Sequence, residues 1–266
     1  MTGAEIAAAA QALFAAERDH VQIPLISLAN QGMTMDDAYA VQAAYVAQKQ
    51  AAGIARIGWK IGLTSKAMQA ALGIDIPDSG VLLADMAFAN GATIPAGRFI
   101  APRIEAEIAF VMGGDLAGDD VTEADVLAAT DHVVPSLEIL DTRILRSDLA
   151  TGTARTIFDT ISDNAANAGI VTGGKPVRAQ DIDLRRVGAI VSRNGEVEET
   201  GLGAGVLGDP VRGIVWLARR LAAHGIGIKA GEILLSGSFI RPIECPSGSH
   251  IHADFGDFGT VETHFA

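Results

Sequence analysis

The chain has one cysteine, Cys245, in 266 residues. A single thiol excludes an intramolecular disulfide framework and a cysteine-based zinc site, and the expected compartment is a reducing cytoplasm. Beside Pro246, Cys245 reads as a passive loop residue. Basic residues are also scarce. Twenty Lys and Arg face 32 Asp and Glu, a formal net charge of −12. A field of that sign repels nucleic acid and anionic membranes, so neither is expected as a partner. A small anionic substrate must then be held by local charges or by a metal. No apolar run approaches transmembrane length. The Ala-rich N-terminus is acidic and amphipathic, whereas a signal peptide needs a basic start and a continuous apolar core. Repeats and low-complexity tracts are missing as well. The Gly203 to Gly208 stretch lacks the strand-then-helix spacing of a nucleotide-binding fingerprint.

What is present is apolar surface. At 49 % hydrophobic, the chain can bury a full core, as one large domain or one domain with a smaller partner. The first part reads as helical. Residues 5–18 are Ala-rich, with Ile6, Leu13 and Phe14 as anchors. A second helix starts at Thr34-Met35-Asp36-Asp37, which resembles a capping box, and runs to about Gly53. From Ile54 onward, short β-rich runs alternate with Gly, Pro and Asp. The expected strands are 56–61, 99–112, 132–140, 187–193, 233–240, 250–253 and 259–265. Asn194-Gly195 signals a type I′ hairpin. Helices are expected after Thr122, after Thr64-Ser65-Lys66, and from Asp209-Pro210 to about His224-Gly225. The pattern implies an α+β fold with a mixed or antiparallel β core. It divides into a helical segment, 1–54, and a catalytic domain, 55–266.

Three carboxylates carry the chemistry. Glu105 and Glu107 lie two apart in an apolar run, so as a strand they share a face. Ile104, Ala106, Ile108 and Phe110 leave the other face apolar. Two like charges side by side are costly unless a cation sits between them. Glu138, among Val133, Val134, Leu137, Ile139 and Leu140, can complete an all-oxygen site suited to Mg²⁺ or Mn²⁺. The alternative on these residues alone is a solvated outer face. Lys60 and Asp78, taken alone, read as a surface lysine and a turn residue. Ser162 and Asn164 read as caps, and Gly237-Ser238 as a strand-end turn. His250-Ile251-His252 places two imidazoles on one strand face, but no third nitrogen ligand is signalled nearby, so a half-exposed strand is expected.

Several longer motifs resemble the fumarylacetoacetate hydrolase superfamily, and within it the hydratases and decarboxylases of aromatic meta-cleavage pathways. They are Gly58-Trp59-Lys60-Ile61-Gly62, Pro77-Asp78-Ser79-Gly80, Glu105-Ala106-Glu107, Glu138, Asp159-Thr160-Ile161-Ser162-Asp163-Asn164, and Leu235-Ser236-Gly237-Ser238. The run 158–169 looks like the branch that hydrates 2-oxo-hept-4-ene-1,7-dioate, while 143–156 departs from it. The resemblance implies a mixed β-sheet or β-roll core of the C-terminal-domain type of that superfamily. It also implies Mg²⁺ or Mn²⁺ on Glu105, Glu107 and Glu138, with Lys60 and Asp78 as proton-handling partners. Ser162 and Asn164 then contact substrate or water, and Gly237 and Ser238 hold the substrate carboxylate. A ring-based homo-oligomer, pentamer or decamer, is implied too.

A seven-carbon diacid needs a cation for its second carboxylate. Arg143, Arg146 and Arg155 follow the Glu138 strand, and Arg155 is favoured because it leads into the 159–164 motif. The alternatives are a 2-hydroxypenta-2,4-dienoate hydratase or a 2-oxo-3-hexenedioate decarboxylase on the same scaffold. An acylpyruvate hydrolase would need a His–Glu pair near the N-terminal part of the domain, and neither His20 nor His132 has that context. A non-catalytic binding protein is disfavoured by the complete set Lys60, Asp78, Glu105, Glu107 and Glu138.

Overall fold

The computed structural model describes residues 1–66, 69–70 and 74–266. The helix expected after Thr64-Ser65-Lys66 falls largely on residues 67, 68 and 71–73, outside the described residues.

Three helices open the chain: α1 (Gly3–Asp19), α2 (Ile26–Ala29) and α3 (Met35–Ala51). The two long ones begin with reciprocal capping boxes, Thr2 with Glu5 and Thr34 with Asp37, which satisfy first-turn N–H groups. Both pack with buried faces built from Leu13 and Ala16 on α1 and Ala38, Val41 and Tyr45 on α3. No helix among the described residues is long and apolar enough to cross a membrane.

The remainder is β-rich. In chain order it holds β1 (Arg56–Gly62), β2 (Asp78–Leu83), β3 (Ala87–Phe88), β4 (Thr93–Ile94), β5 (Arg103–Met112), helix α4 (Glu123–Ala129) and β6 (Thr130–Leu140). Then come α5 (Ile157–Ser162), β7 (Asn167–Thr172), β8 (Gly188–Arg193), β9 (Glu196–Leu202), α6 (Pro210–Ala222), β10 (Ile233–Leu235), β11 (Ile243–Glu244), β12 (His250–Asp254) and β13 (Thr260–Phe265). One mixed sheet runs β2-β1-β10-β5-β6-β7-β3, with β11 also on β5; a second runs β4-β13-β12-β8-β9. The β8–β9 turn has φ of 55° at Asn194 and 85° at Gly195, as a type I′ hairpin requires.

Strand β5 divides the large sheet into two faces. Ile104, Ala106, Ile108 and Phe110 are fully buried in the main core, each worth roughly 1.5–3 kcal/mol for the larger side chains. The other face carries Arg103, Glu105, Glu107 and Ala109. Ala109 pairs with Val134 and with Leu235, and Leu235 pairs with Lys60, so these side chains share that face. A small second apolar cluster of Leu82, Ala109, Val134, Ile170 and Leu235 floors it. The charged residues therefore stand beside a dry patch, separate from the main core.

Two strands are shorter than the sequence suggests. β5 begins at Arg103 rather than 99, because the Ile100 and Ala101 N–H groups donate to the Asp141 carboxylate instead of a neighbouring strand. β10 stops at Leu235 rather than 240, because Gly237 adopts φ 115° and breaks the ladder. Helix α5 was not expected. Its signal was available: Thr156 and Asp159 form a capping box.

Helix α3 braces the site. The buried Gln42 donates to the carbonyls of Ser79 and Ile161, both at 2.9 Å. The Tyr39 hydroxyl accepts the Ser79 N–H at 3.2 Å. These bonds fix the start of β2, where Asp78 sits.

Candidate active site

The β5–β6 register sets Glu105 opposite Glu138 and Glu107 opposite Ser136. One carboxylate oxygen from each of Glu105, Glu107 and Glu138 lies within 4.8 Å of the others. Glu107 and Glu138 are fully buried. Lys60 reaches in from β1, its Nζ 3.3 Å from Glu138 Oε1 and 3.3 Å from the Ala165 carbonyl oxygen. Asp78 pairs with Gly62 across β1 and β2. A Cβ on Gly62 would lie 2.2 Å from Asp78 Oδ1 and 3.1 Å from Lys60 Nζ, so glycine is needed where these two groups converge.

Four carboxylates thus face one ammonium. Burial, with the Glu138 charge added, pushes the Glu105 carboxyl up to about 8. The same causes, with Glu105 added, push Glu107 well above the usual carboxylate range. Burial also raises Asp78, against the pull of Lys60. Burial alone would lower Lys60, but Glu138, Asp78, Glu105 and Glu107 outweigh it and hold the ammonium charged.

Most of the unpartnered polar atoms of the described residues gather here. Among the described residues, the buried side-chain atoms without a hydrogen bond are Asp78 Oδ1, Glu107 Oε1, Glu138 Oε2, Ser162 Oγ, Asn167 Oδ1, Arg103 Nε, Ser236 Oγ and Trp59 Nε1. Buried orphans are rare in folded proteins and call for an explanation. Two belong to the carboxylate triad. Free carboxylate oxygens converging in a water-poor recess fit a hard divalent cation with oxygen ligands.

The segment after α5 shapes one wall. Asn164, Ala165 and Ala166 have φ of 53°, 52° and 59°, three successive non-glycine residues in the left-handed region. Each such residue costs of order 1 kcal/mol and persists only where neighbours over-determine it. The Asn164 amide does so: Oδ1 accepts the Val81 N–H at 2.7 Å and Nδ2 donates to the Val81 carbonyl at 2.9 Å. The turn delivers the Ala165 carbonyl to Lys60 and the Asn167 Nδ2 to Glu138 Oε1, at 2.6 Å.

The residues singled out from sequence fall into two groups. Lys60, Asp78, Glu105, Glu107 and Glu138 converge, and Ser162 offers a buried, unpartnered hydroxyl at the C-terminal end of α5. Asn164 spends its side chain on Val81 instead. The Gly237 N–H donates to Glu107 Oε2 at 2.8 Å, and the Ser238 hydroxyl donates to the Ile240 carbonyl at 2.9 Å. Arg143 is buried in an ion pair with Asp163, and Arg146 pairs with Glu244 at 3.3 Å. Arg155 donates to the Thr142 hydroxyl at 2.8 Å and has no ion pair among the described residues. Sequence reasoning missed Asn167, although it lies inside the 158–169 motif. It also missed Arg103, which continues the alternation of Glu105 and Glu107 by one step.

No family model matches the chain. Individual relatives do. It is 49 % identical over 256 residues to 2-oxo-hept-4-ene-1,7-dioate hydratase of Escherichia coli, covering 96 % of each chain. It is 38 % identical over 265 residues to 2-keto-4-pentenoate hydratase of Paraburkholderia xenovorans (strain LB400), covering 100 % of this chain and 96 % of that one. Among solved structures, 4-oxalocrotonate decarboxylase from Pseudomonas putida G7, complexed with magnesium and adipate, superposes with a TM-score of 0.94. It shares 32 % identity over 100 % of this chain and 99 % of the other. A relative at 49 % identity across almost its whole length, and a fold match of that closeness, establish common descent: the chain belongs to the family of these 2-oxo acid hydratases and the related decarboxylase.

Proposed function

We propose that the protein is a divalent-metal-dependent hydratase of aromatic catabolism that adds water to 2-oxo-hept-4-ene-1,7-dioate, giving 4-hydroxy-2-oxoheptanedioate. The observation that carries this reading is the 49 % identity to the E. coli enzyme of that name, against 38 % for a monoacid hydratase and 32 % for a decarboxylase. In this reading Glu105, Glu107 and Glu138 hold Mg²⁺ or Mn²⁺. Such an ion, when bound, would supply Lewis-acid polarisation to the 2-oxo acid.

The chain's own groups move the protons. The reaction first shifts a double bond: a proton leaves C3 and one is delivered at C5, which conjugates the C3–C4 alkene with the ketone. Water then adds its oxygen at C4, and a proton returns to C3. Lys60 stays an ammonium and meets the negative charge that develops on the 2-oxygen. Asp78, raised toward neutrality and with Oδ1 unpartnered, is the group that takes and returns protons. Ser162 orients substrate or water with its free hydroxyl. Asn164 and Gly237 act one step back: Asn164 fixes the turn behind Lys60, and Gly237 fixes Glu107. Ser238 acts with Gly237 in shaping the strand break. Arg155, without an ion pair among the described residues, is a cation available to the distal carboxylate. Residues 1–54 brace the catalytic domain of 55–266, and the assembly is a ring-based homo-oligomer.

The test is turnover by metal-stripped protein given Mg²⁺ and either the seven-carbon diacid or 2-hydroxypenta-2,4-dienoate, with product mass recorded. Metal-dependent gain of water with preference for the diacid is expected. Preference for the monoacid moves the protein to the sister hydratases. Loss of CO₂ from 2-oxo-3-hexenedioate without hydration overturns the reaction class.

A further inference from the structure

The metal face of β5 does not end at Glu105. Arg103 is the next residue on that face, about 7 Å along the strand. Glu244 on β11 is its direct cross-strand neighbour and accepts from Arg103 Nη2 at 2.8 Å. The adjacent Nε is buried and has no partner. Nε and Nη2 form the side-on fork with which an arginine grips a carboxylate in two parallel bonds. Half of that fork is therefore unused, at a position where an unmet donor is costly.

The surroundings are rich in positive charge, unlike the chain as a whole. Glu244 is shared between Arg103 and Arg146. Arg155 is tied to Arg146 by its backbone N–H, at 2.9 Å, and among the described residues it has no carboxylate of its own. Burial, and the neighbouring charges of Arg146 and Arg103, hold the Arg155 guanidinium below the usual arginine range despite the pull of Asp163. A cavity of about 450 Å³ opens at this end, lined by Arg146, Arg193, Glu244 and Pro102 among others; Arg103 and Arg155 are not in its lining but adjoin it through Glu244 and Arg146. Its size is in the range of small-ligand sites. Arg103 and Arg146 share the one exposed Glu244, and Arg155 feels Asp163 only at a distance, so an anionic ligand would be drawn to this end of a protein whose net charge is −12.

We infer that Arg103, assisted by Arg155, binds the carboxylate at the far end of the substrate through its Nε–Nη2 fork, with Glu244 as the resident carboxylate that the substrate displaces. The inference rests on the diacid reading above and adds the residue that makes the enzyme selective for it. One strand then presents the whole recognition pattern: Glu107 and Glu105 for the metal end, Arg103 for the distal end.

The test compares kcat/KM for 2-oxo-hept-4-ene-1,7-dioate and for 2-hydroxypenta-2,4-dienoate in the Mg²⁺-loaded wild type, Arg103→Met, Arg103→Lys and Arg155→Met. Binding of pimelate, an unreactive seven-carbon diacid, is followed in parallel by calorimetry. Arg103→Met is expected to lower the diacid-to-monoacid ratio by roughly 10- to 100-fold, chiefly through KM, and to weaken pimelate by a similar factor. Arg103→Lys recovers only part of the ratio, because an ammonium lacks the fork. Arg155→Met gives a smaller fall. A wild type that prefers the diacid, with Arg103 variants that keep both the ratio and pimelate affinity, overturns the inference and leaves the proposed function standing. A wild type that does not prefer the diacid removes the proposed function itself.

Discussion

Two buried charge clusters lie side by side in this chain, and they are built on opposite terms. The first joins the N-terminal helices to the site wall. Lys49 pairs with Glu17 at 2.6 Å and with Asp85 at 2.9 Å, and the Tyr45 hydroxyl donates to Glu17. Arg143 pairs with Asp163 through its side chain, and its backbone N–H donates to the same carboxylate at 2.9 Å. Here every carboxylate has a cation beside it, and nearly every donor has an acceptor. The second cluster sets Glu105, Glu107, Glu138 and Asp78 against Lys60 alone, and leaves carboxylate oxygens unpartnered. A balanced buried network holds a structure together. An unbalanced one with free buried oxygens is suited to take a cation. The two meet at Asn167, whose carbonyl accepts from Arg143 and whose amide donates to Glu138. The structural cluster thereby orients Glu138 of the second.

If this contrast is right, substitutions in the two clusters separate stability from activity. Glu107→Gln is expected to cut turnover about a thousandfold or more, by loss of several kcal/mol of metal-derived stabilisation, while the melting temperature holds, because burial and its neighbours already press this carboxyl toward its neutral form. Turnover and thermal melting of the same preparation check this. Asp163→Asn is expected to do the reverse first: it strands the buried Arg143 and costs about 3–5 kcal/mol of stability in denaturant unfolding.

Acid sharpens the contrast further. Burial pushes the Glu17 carboxyl up, but Arg143, Lys49 and the hydrogen bonds of Lys49 and Tyr45 overcome it and hold it at about 2. A carboxyl depressed in the folded state stabilises above its unfolded value, near 4.5, and that contribution is lost as pH falls toward 2. The contribution is about 3 kcal/mol. Wild type should therefore lose stability across that window, and Glu17→Gln should flatten this limb of the pH–stability curve. The smallest effect is expected at the junction. Asn167→Ala should weaken Mg²⁺ binding by about 10- to 100-fold, the usual scale for a residue that orients a metal ligand, with less change in folding.

The sequence made the second cluster more legible than the first. Glu105 and Glu107 are two apart on one strand, so strand periodicity alone places them on one face. Glu138 sits in a run so apolar that an ionised carboxylate there demands a reason. The capping boxes at Thr34 and Thr122 were likewise local signals. What periodicity cannot supply is contact between distant segments. Lys60 and Asp78 look like surface residues until β1 and β2 pair, and only the motif resemblance drew them toward the carboxylates. Arg143 was weighed as a substrate ligand because its true partners, Asp163 and the Glu17 region, are invisible from its neighbours. The left-handed run from Asn164 to Ala166 contains no glycine, so nothing in composition announced it; tertiary bonds to Val81 impose it. Arg103 reads locally as the solvated end of a strand, because its partner Glu244 lies 141 positions away along the chain.

The most direct test of the account is calorimetric titration of chelator-stripped protein with Mn²⁺, comparing wild type with Glu107→Gln and Asp163→Asn. One ion per chain in the wild type and in whatever fraction of Asp163→Asn remains folded, with binding lost in Glu107→Gln, is the expected result. Wild-type protein that binds no divalent ion, or a Glu107→Gln variant that binds it unchanged, would contradict the claim that the unbalanced carboxylates are a metal site.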